Sequence, residues 1–166
     1  MSDPGSNAPS DSAAAGEALS PVAVATMLVG TDGSASAERG VRYAAGLASQ
    51  LGARVLLVHA VGLLERLPGH EAEPASAVRT EIERLLHDEW CAPLVAAGID
   101  HVCLLEAGPP VLAVPRVAER EGVDLIVVAS HGRGNAAALP LGSTSHALVQ
   151  VSTVPVLVVP AATDAS

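Results

Sequence analysis

The chain has 166 residues, 49% of them apolar, and carries a formal net charge of −9. That length suits one domain with a single sizeable core, and that charge argues against nucleic acid or an anionic membrane as partner, since both call for a basic face. All nine cations are Arg and none is Lys, which excludes chemistry built on a Schiff-base or phosphate-binding lysine.

Phe is absent, and Tyr43 and Trp90 are the only aromatics, so the core must be made of Val, Leu, Ile and Ala. Residues 1–20 are rich in Ser, Ala, Gly, Pro and Asp without apolar period and read as a disordered leader. They show neither the basic stretch nor the apolar stretch of a secretory signal. A domain over residues 21–160 and a short tail, 161–166, follow. Five short apolar runs then predict strands buried on both faces, at Val24–Val29, Val55–Val58, Val102–Leu105, Leu125–Ala129 and Val154–Val159.

Helices are predicted between them. The first is capped by Ser34 or Ser36 and runs to about Leu51, with Gly52 at its left-handed end. The second spans Pro74 to Ala97, stopped by Gly98, with Glu81, Glu83, Asp88 and Glu89 beside Arg79 and Arg84 as a solvated face. The third spans Pro109 to Arg120 and stops at Gly122. Pro115 is awkward inside it, and a start at Val114 would place that proline in the first turn. The fourth runs from Ser143 to about Val151. This alternation predicts an α/β domain, a mainly parallel sheet with right-handed crossovers and helices on both faces. In such sheets ligands bind beyond the carboxyl ends of strands, where the strand order reverses. Pro155 demotes the last strand to an edge, and an apolar edge is a plausible homodimer seam.

From Leu125 to Thr163 there is no Asp or Glu, and the only formal charge is Arg133. An acidic chain repels phosphate nearly everywhere else. Within this window Ala129-Ser130-His131-Gly132-Arg133-Gly134-Asn135 follows a strand, and Gly142-Ser143-Thr144-Ser145 opens a helix. Unpaired N–H groups at a helix N-terminus form an anion site, and glycine allows close backbone approach. A surface loop followed by an ordinary Ser cap fits the same spacing. Gly132-x-Gly134-x-x-Ala137 matches a dinucleotide fingerprint only in form, because no acid follows before Asp164. A Walker A loop fails for want of Lys. At the first strand's end, Val29-Gly30-Thr31-Asp32-Gly33-Ser34 offers a carboxylate, either for ribose or adenine or as a turn and cap residue.

These stretches, with Gly122-Val123-Asp124 leading into the fourth strand and Leu141-Gly142-Ser143-Thr144-Ser145 leading toward Val154–Val159, make the chain from Thr26 to Val159 resemble the universal stress protein family. ATP-binding members carry G-x2-G-x9-G-[ST], and this chain supplies Gly132, nine intervening residues, Gly142 and Ser143, with Ala129 in place of the first glycine. If that position needs a positive φ or close approach, the methyl costs about 1 kcal/mol or more. The resemblance implies a Rossmann-like sheet in the order 3-2-1-4-5 and an adenine nucleotide ligand, ATP or AMP, with Mg2+ as a companion ion. It implies that Gly30, Thr31 and Asp32 meet the adenosine, with Ala60, just past the second strand, on the adenine side or as plain packing. Gly132, Gly142, Ser143, Thr144 and Ser145 would hold ribose and phosphates, with Ala129, His131 and Arg133 beside them.

His59 reads as a structural histidine at the end of the second strand, and His70, His87, His101 and His146 have no ligand spacing. Cys91 and Cys103 lack clustered partners, read as packing residues, and point to a reduced, cytoplasmic protein. No general base, metal cluster or activated nucleophile is evident, so any ATP hydrolysis should be slow. A serine hydrolase lacks its G-x-S-x-G turn, and a phospho-receiver lacks paired acids and a Lys. Two functions stand: an ATP-binding, dimeric stress-response module, or a nucleotide-free dimeric interaction protein of the same fold, for which Ala129 is the argument.

Overall fold

The structure, a computed structural model, describes residues 23–62, 75–133 and 141–161. The expected leader, Pro74, His70 and all of the tail but Ala161 lie outside them. Strands β1 (Thr26–Gly30), β2 (Arg54–Val61), β3 (His101–Ala107), β4 (Leu125–Ala129) and β5 (Val156–Val159) form one sheet in the order β3-β2-β1-β4-β5. All four pairings are parallel. The expected α/β class and strand order are therefore found, and β5 is an edge.

Side chains alternate cleanly between two cores. Met27, Val29, Leu57 and Val127 face helix α1 (Ala35–Leu51), a π-helical turn (Leu86–Trp90) and α3 (Ala92–Ala96), while α2 (Ala75–Leu85), which leads into that turn, packs Val78 and Ile82 against Val61 and Leu105. Leu28, Leu56, Val58, Ile126 and Val128 face α4 (Pro110–Glu121) and α5 (Ser143–Val151). Each fully buried Val or Leu contributes about 1.5–3 kcal/mol. Small residues on the buried face of α1, among them Gly40, Ala44 and Ala48, let its backbone lie close to the sheet.

Element ends depart from the expected ones for local reasons. β1 starts at Thr26, not Val24, because Asp124 Oδ2 accepts from both Ala25 N and Thr26 N at 2.9 Å. β5 starts at Val156, not Val154. Pro155 has no N–H to give, and the Ser152 hydroxyl, bonded to both Val154 N and Val154 O, folds residues 152–154 into a turn. β2 continues to Val61 through its pairing with Ala107, so His59 and Ala60 lie inside the strand. The long second helix is interrupted by its π-helical turn. α4 begins at Pro110 rather than Val114, its first turn closed by Leu112 N and Ala113 N donating to Pro109 O. Pro115 is thus interior; its cost of about 3 kcal/mol is offset by the burial of Val114 and Val117.

Ser34, not Ser36, caps α1, its hydroxyl accepting from Ala37 N at 3.2 Å. Gly52 and Gly122 end α1 and α4 in the left-handed conformation. Gly46 lies in the interior of α1, and an added Cβ there meets nothing. Gly46→Ala should therefore raise stability by about 0.5–1 kcal/mol, read as a higher urea midpoint at unchanged slope. Among the described residues no helix is long and apolar enough to cross a membrane.

Candidate functional site

β1 and β4 are neighbours at the centre of the sheet, with β2 and β5 departing on opposite sides. This is where the strand order reverses. Beyond their carboxyl ends lies a cleft of about 440 Å³, within the range of small-molecule sites, roughly 300–1,000 Å³. Gly30, Thr31, Asp32 and Ala60 line one wall. Ala129, His131, Gly132 and Arg133 line a second, and Gly142, Ser143, Thr144 and Ser145 a third. Every candidate residue of the sequence thus reaches one cleft. Sequence reasoning missed its apolar floor of Val58, Val114, Val128 and Leu148. These belong to the core facing α4 and α5, and only the topology shows that this core opens at the strand ends.

Asp32 joins two walls. Its Oδ1 accepts from Ser34 N at 3.0 Å, and its Oδ2 accepts from Arg133 N at 2.7 Å, across 101 residues of sequence. The turn role left open by the sequence is therefore real, but Ser34 is the cap. A carboxylate has about four acceptor positions, so two remain for a ligand. Gly132 is required by this contact, since a Cβ there would collide with Asp32 Oδ2.

The opposite wall is cationic without a full charge. The N-cap of α5 is Gly142, which offers no capping side chain, and the first intrahelical bond is His146 N to Gly142 O. The N–H groups of Ser143, Thr144 and Ser145 are left as the orphan donors of the first turn, where the helix dipole favours an anion. The Ser145 hydroxyl is not free for that purpose: it is 4% exposed and donates to Ala129 O at 2.8 Å. Its hydroxyl braces the β4 end, leaving only its N–H for a ligand. Among the described lining residues Asp32 is the single carboxylate. With two of its acceptor positions already taken, that is a poor set for Mg2+, which wants several oxygen ligands.

Ala129 sits at the end of β4. No described non-glycine residue has a positive φ, so the conformational cost foreseen for a methyl there does not arise. That methyl is turned toward Gly40 of α1, where an added Cβ would lie 3.7 Å away.

His59 is structural, as expected: it is 3% exposed, and its Nδ1 donates to Thr31 O at 2.7 Å. Trp90 was given no role by sequence reasoning. Its ring meets His59 edge-on, with centroids 5.2 Å apart at 74°, and lies against Gly33. The Arg133 guanidinium lies 5.5 Å from its centroid. The available signal was a lone Trp in a chain without Phe. His131 Nδ1 and the Ser130 hydroxyl share a hydrogen bond of 3.0 Å, and that hydroxyl also accepts from Ala161 N. Cys91 and Cys103, expected without clustered partners, meet between helix and edge strand. Burial pushes the Cys103 thiol up to about 12, which keeps it protonated at neutral pH while no cation competes for the sulfur.

The universal stress protein family model matches residues 24–160. A universal stress protein from Thermus aquaticus, encoded 3′ of a QAH/OAS sulfhydrylase, is 35% identical over 136 residues, covering 81% of this chain and 97% of that one. The solved structure of MJ0577, from Methanocaldococcus jannaschii, superposes with a TM-score of 0.74 at 26% identity, over 86% of this chain and 100% of the other. A universal stress protein solved in complex with cAMP superposes with a TM-score of 0.64 at 30% identity, over 83% and 98%.

Proposed function

The chain belongs to the universal stress protein family, and on that premise we propose that it binds an adenine nucleotide, ATP or AMP, in the cleft between β1 and β4. The observation that carries this reading is the 2.7 Å bond from Arg133 N to Asp32 Oδ2. It draws the carboxylate turn and the glycine-spaced loop together beside the uncapped start of α5. Adenosine lies over Val58 and Val128, its ribose or amine bonded to the free acceptor positions of Asp32, with Gly30, Thr31 and Ala60 around it. Phosphates meet Gly132 and the N–H groups of Ser143, Thr144 and Ser145, with Arg133 and His131 at the rim. The nucleotide complex of a relative at 30% identity supports the ligand class. Any Mg2+ arrives on the phosphates.

The protein acts as a cytoplasmic regulatory module that pairs with a second copy through the edge of β5, and nucleotide occupancy sets its state. The Ser130 hydroxyl that meets His131 Nδ1 is 4% exposed and already accepts from Ala161 N, which fits slow turnover at most. The rival reading, a nucleotide-free interaction protein, drew on Ala129, whose methyl is turned toward Gly40 of α1; a stable dimer whose melting temperature ignores ATP would favour that reading.

Denaturing the purified protein and analysing released small molecules, then titrating ATP by calorimetry, tests the reading. Co-purified adenine nucleotide, or saturable heat, is the expected result. Neither, at millimolar ATP, would end it. Asp32→Ala should cost the charged hydrogen bonds of that carboxylate, about 1.5–3 kcal/mol, or roughly a 10- to 100-fold loss of affinity.

A further inference from the structure

Toward the amino end of β3, away from the cleft, Cys91, His101 and Cys103 each present one donor atom, and the three atoms lie within 4.8 Å of one another. They come from two elements: Cys91 from the junction of the π-helical turn with α3, the other two from alternate positions on one face of β3. We propose that these three residues bind a thiophilic d10 cation of the Zn2+ type, with a water as fourth ligand, stapling the edge strand to the helical layer.

Two sulfurs and an imidazole nitrogen are the donors of Zn2+ and Cu+ and are wrong for Mg2+ or Ca2+, which take oxygen. Metal–sulfur and metal–nitrogen bonds of about 2.3 and 2.0 Å put the donors of a tetrahedral site about 3.5–3.8 Å apart. From separations within 4.8 Å, a contraction of about 1.3 Å at most completes the set. The Nδ1 of His101 donates to Ile99 O at 2.8 Å, the carbonyl partner that ligating histidines have, so in the proposed site Nε2 is the ligand. The thiols are held in place too. Cys91 Sγ donates to His87 O at 2.8 Å and Cys103 Sγ to Leu86 O at 3.6 Å, both carbonyls of the π-helical turn, a feature found often at functional sites. Cys91 is buried while His101 and Cys103 are half-buried, so an ion can enter from the strand side. Binding one ion releases two thiol protons to solvent. Nothing in this depends on a nucleotide.

The full chain, reduced and stripped of metal, is titrated with Co2+ and then with Zn2+. One Co2+ per chain is expected, with tetrahedral d–d bands and a thiolate-to-metal charge-transfer band that Zn2+ abolishes. Cys103→Ser and His101→Gln should each weaken Zn2+ binding by more than about 100-fold, beyond the range typical of outer-shell losses, with circular dichroism unchanged. A wild-type Co2+ spectrum lacking the charge-transfer band overturns the site whatever the variants do. So does unaltered affinity in folded Cys103→Ser, or a Cys91–Cys103 disulfide that forms as fast with Zn2+ present as without it.

Discussion

Gly142→Glu should lower nucleotide affinity by roughly a thousandfold and leave the fold standing. Gly142 has an extended backbone, φ −65° and ψ 158°, which any residue adopts. An added Cβ meets Ser130 O at 3.1 Å and His131 Cα at 3.4 Å, so neighbours must yield by a few tenths of an ångström. The carboxylate, however, arrives at the N-terminus of α5, in the place of the proposed phosphates. Two like charges about 4 Å apart repel by about 4 kcal/mol at an effective dielectric of 20, and about 1.4 kcal/mol is tenfold in affinity. The same negative charge is favourable for the helix, by about 0.3–1 kcal/mol. Melting temperature without ligand should therefore hold while the shift induced by ATP disappears. Gly142→Gln separates bulk from charge and should lose about tenfold or less by calorimetry. A Gly142→Glu protein that binds ATP like the wild type would place the phosphates elsewhere.

The sheet was legible because its chemistry is repetitive. Runs such as Leu125–Ala129 are too apolar to face water on either side, and a strand buried on both faces is what such a run makes. The cleft was legible from charge, since a stretch without acids is conspicuous in a chain with eighteen. What sequence could not supply was the direction of individual bonds. Asp124 trims β1 and the Ser152 hydroxyl trims β5 through contacts that periodicity does not record. Ser145 looked like a phosphate donor among three hydroxyls, yet its hydroxyl serves the Ala129 carbonyl. The methyl of Ala129 looked like an obstacle until β4 showed which face it points to. Cys91, His101 and Cys103 have no ligand spacing along the chain, because the fold joins them by laying a helix across an edge strand.

Gly33→Ala should be the most damaging methyl added anywhere in the β1 turn, at about 2–5 kcal/mol. Gly33 has φ +72°, where an L side chain costs about 1–2 kcal/mol. Its Cβ would also fall within the Trp90 ring, onto Cε2, Cζ2 and Nε1. That ring has no easy retreat, because His59 stands edge-on to it and is itself tied to Thr31 O. Overpacking of this kind costs about 1–3 kcal/mol more. At about 2–4 °C per kcal/mol for a chain of this size, the melting temperature should drop by about 4–20 °C. Trp90→Leu in the Gly33→Ala background makes room for the methyl but leaves the φ penalty. The double variant should thus be more stable than the sum of the two single losses predicts, by about 1–3 kcal/mol in urea melts. Strict additivity, or a neutral Gly33→Ala, would mean that Trp90 does not brace the turn. The turn also carries Asp32, so ATP affinity should fall in the single variant and partly return in the double. A Trp with no place in the ligand cleft then governs, through one glycine, how the carboxylate is held.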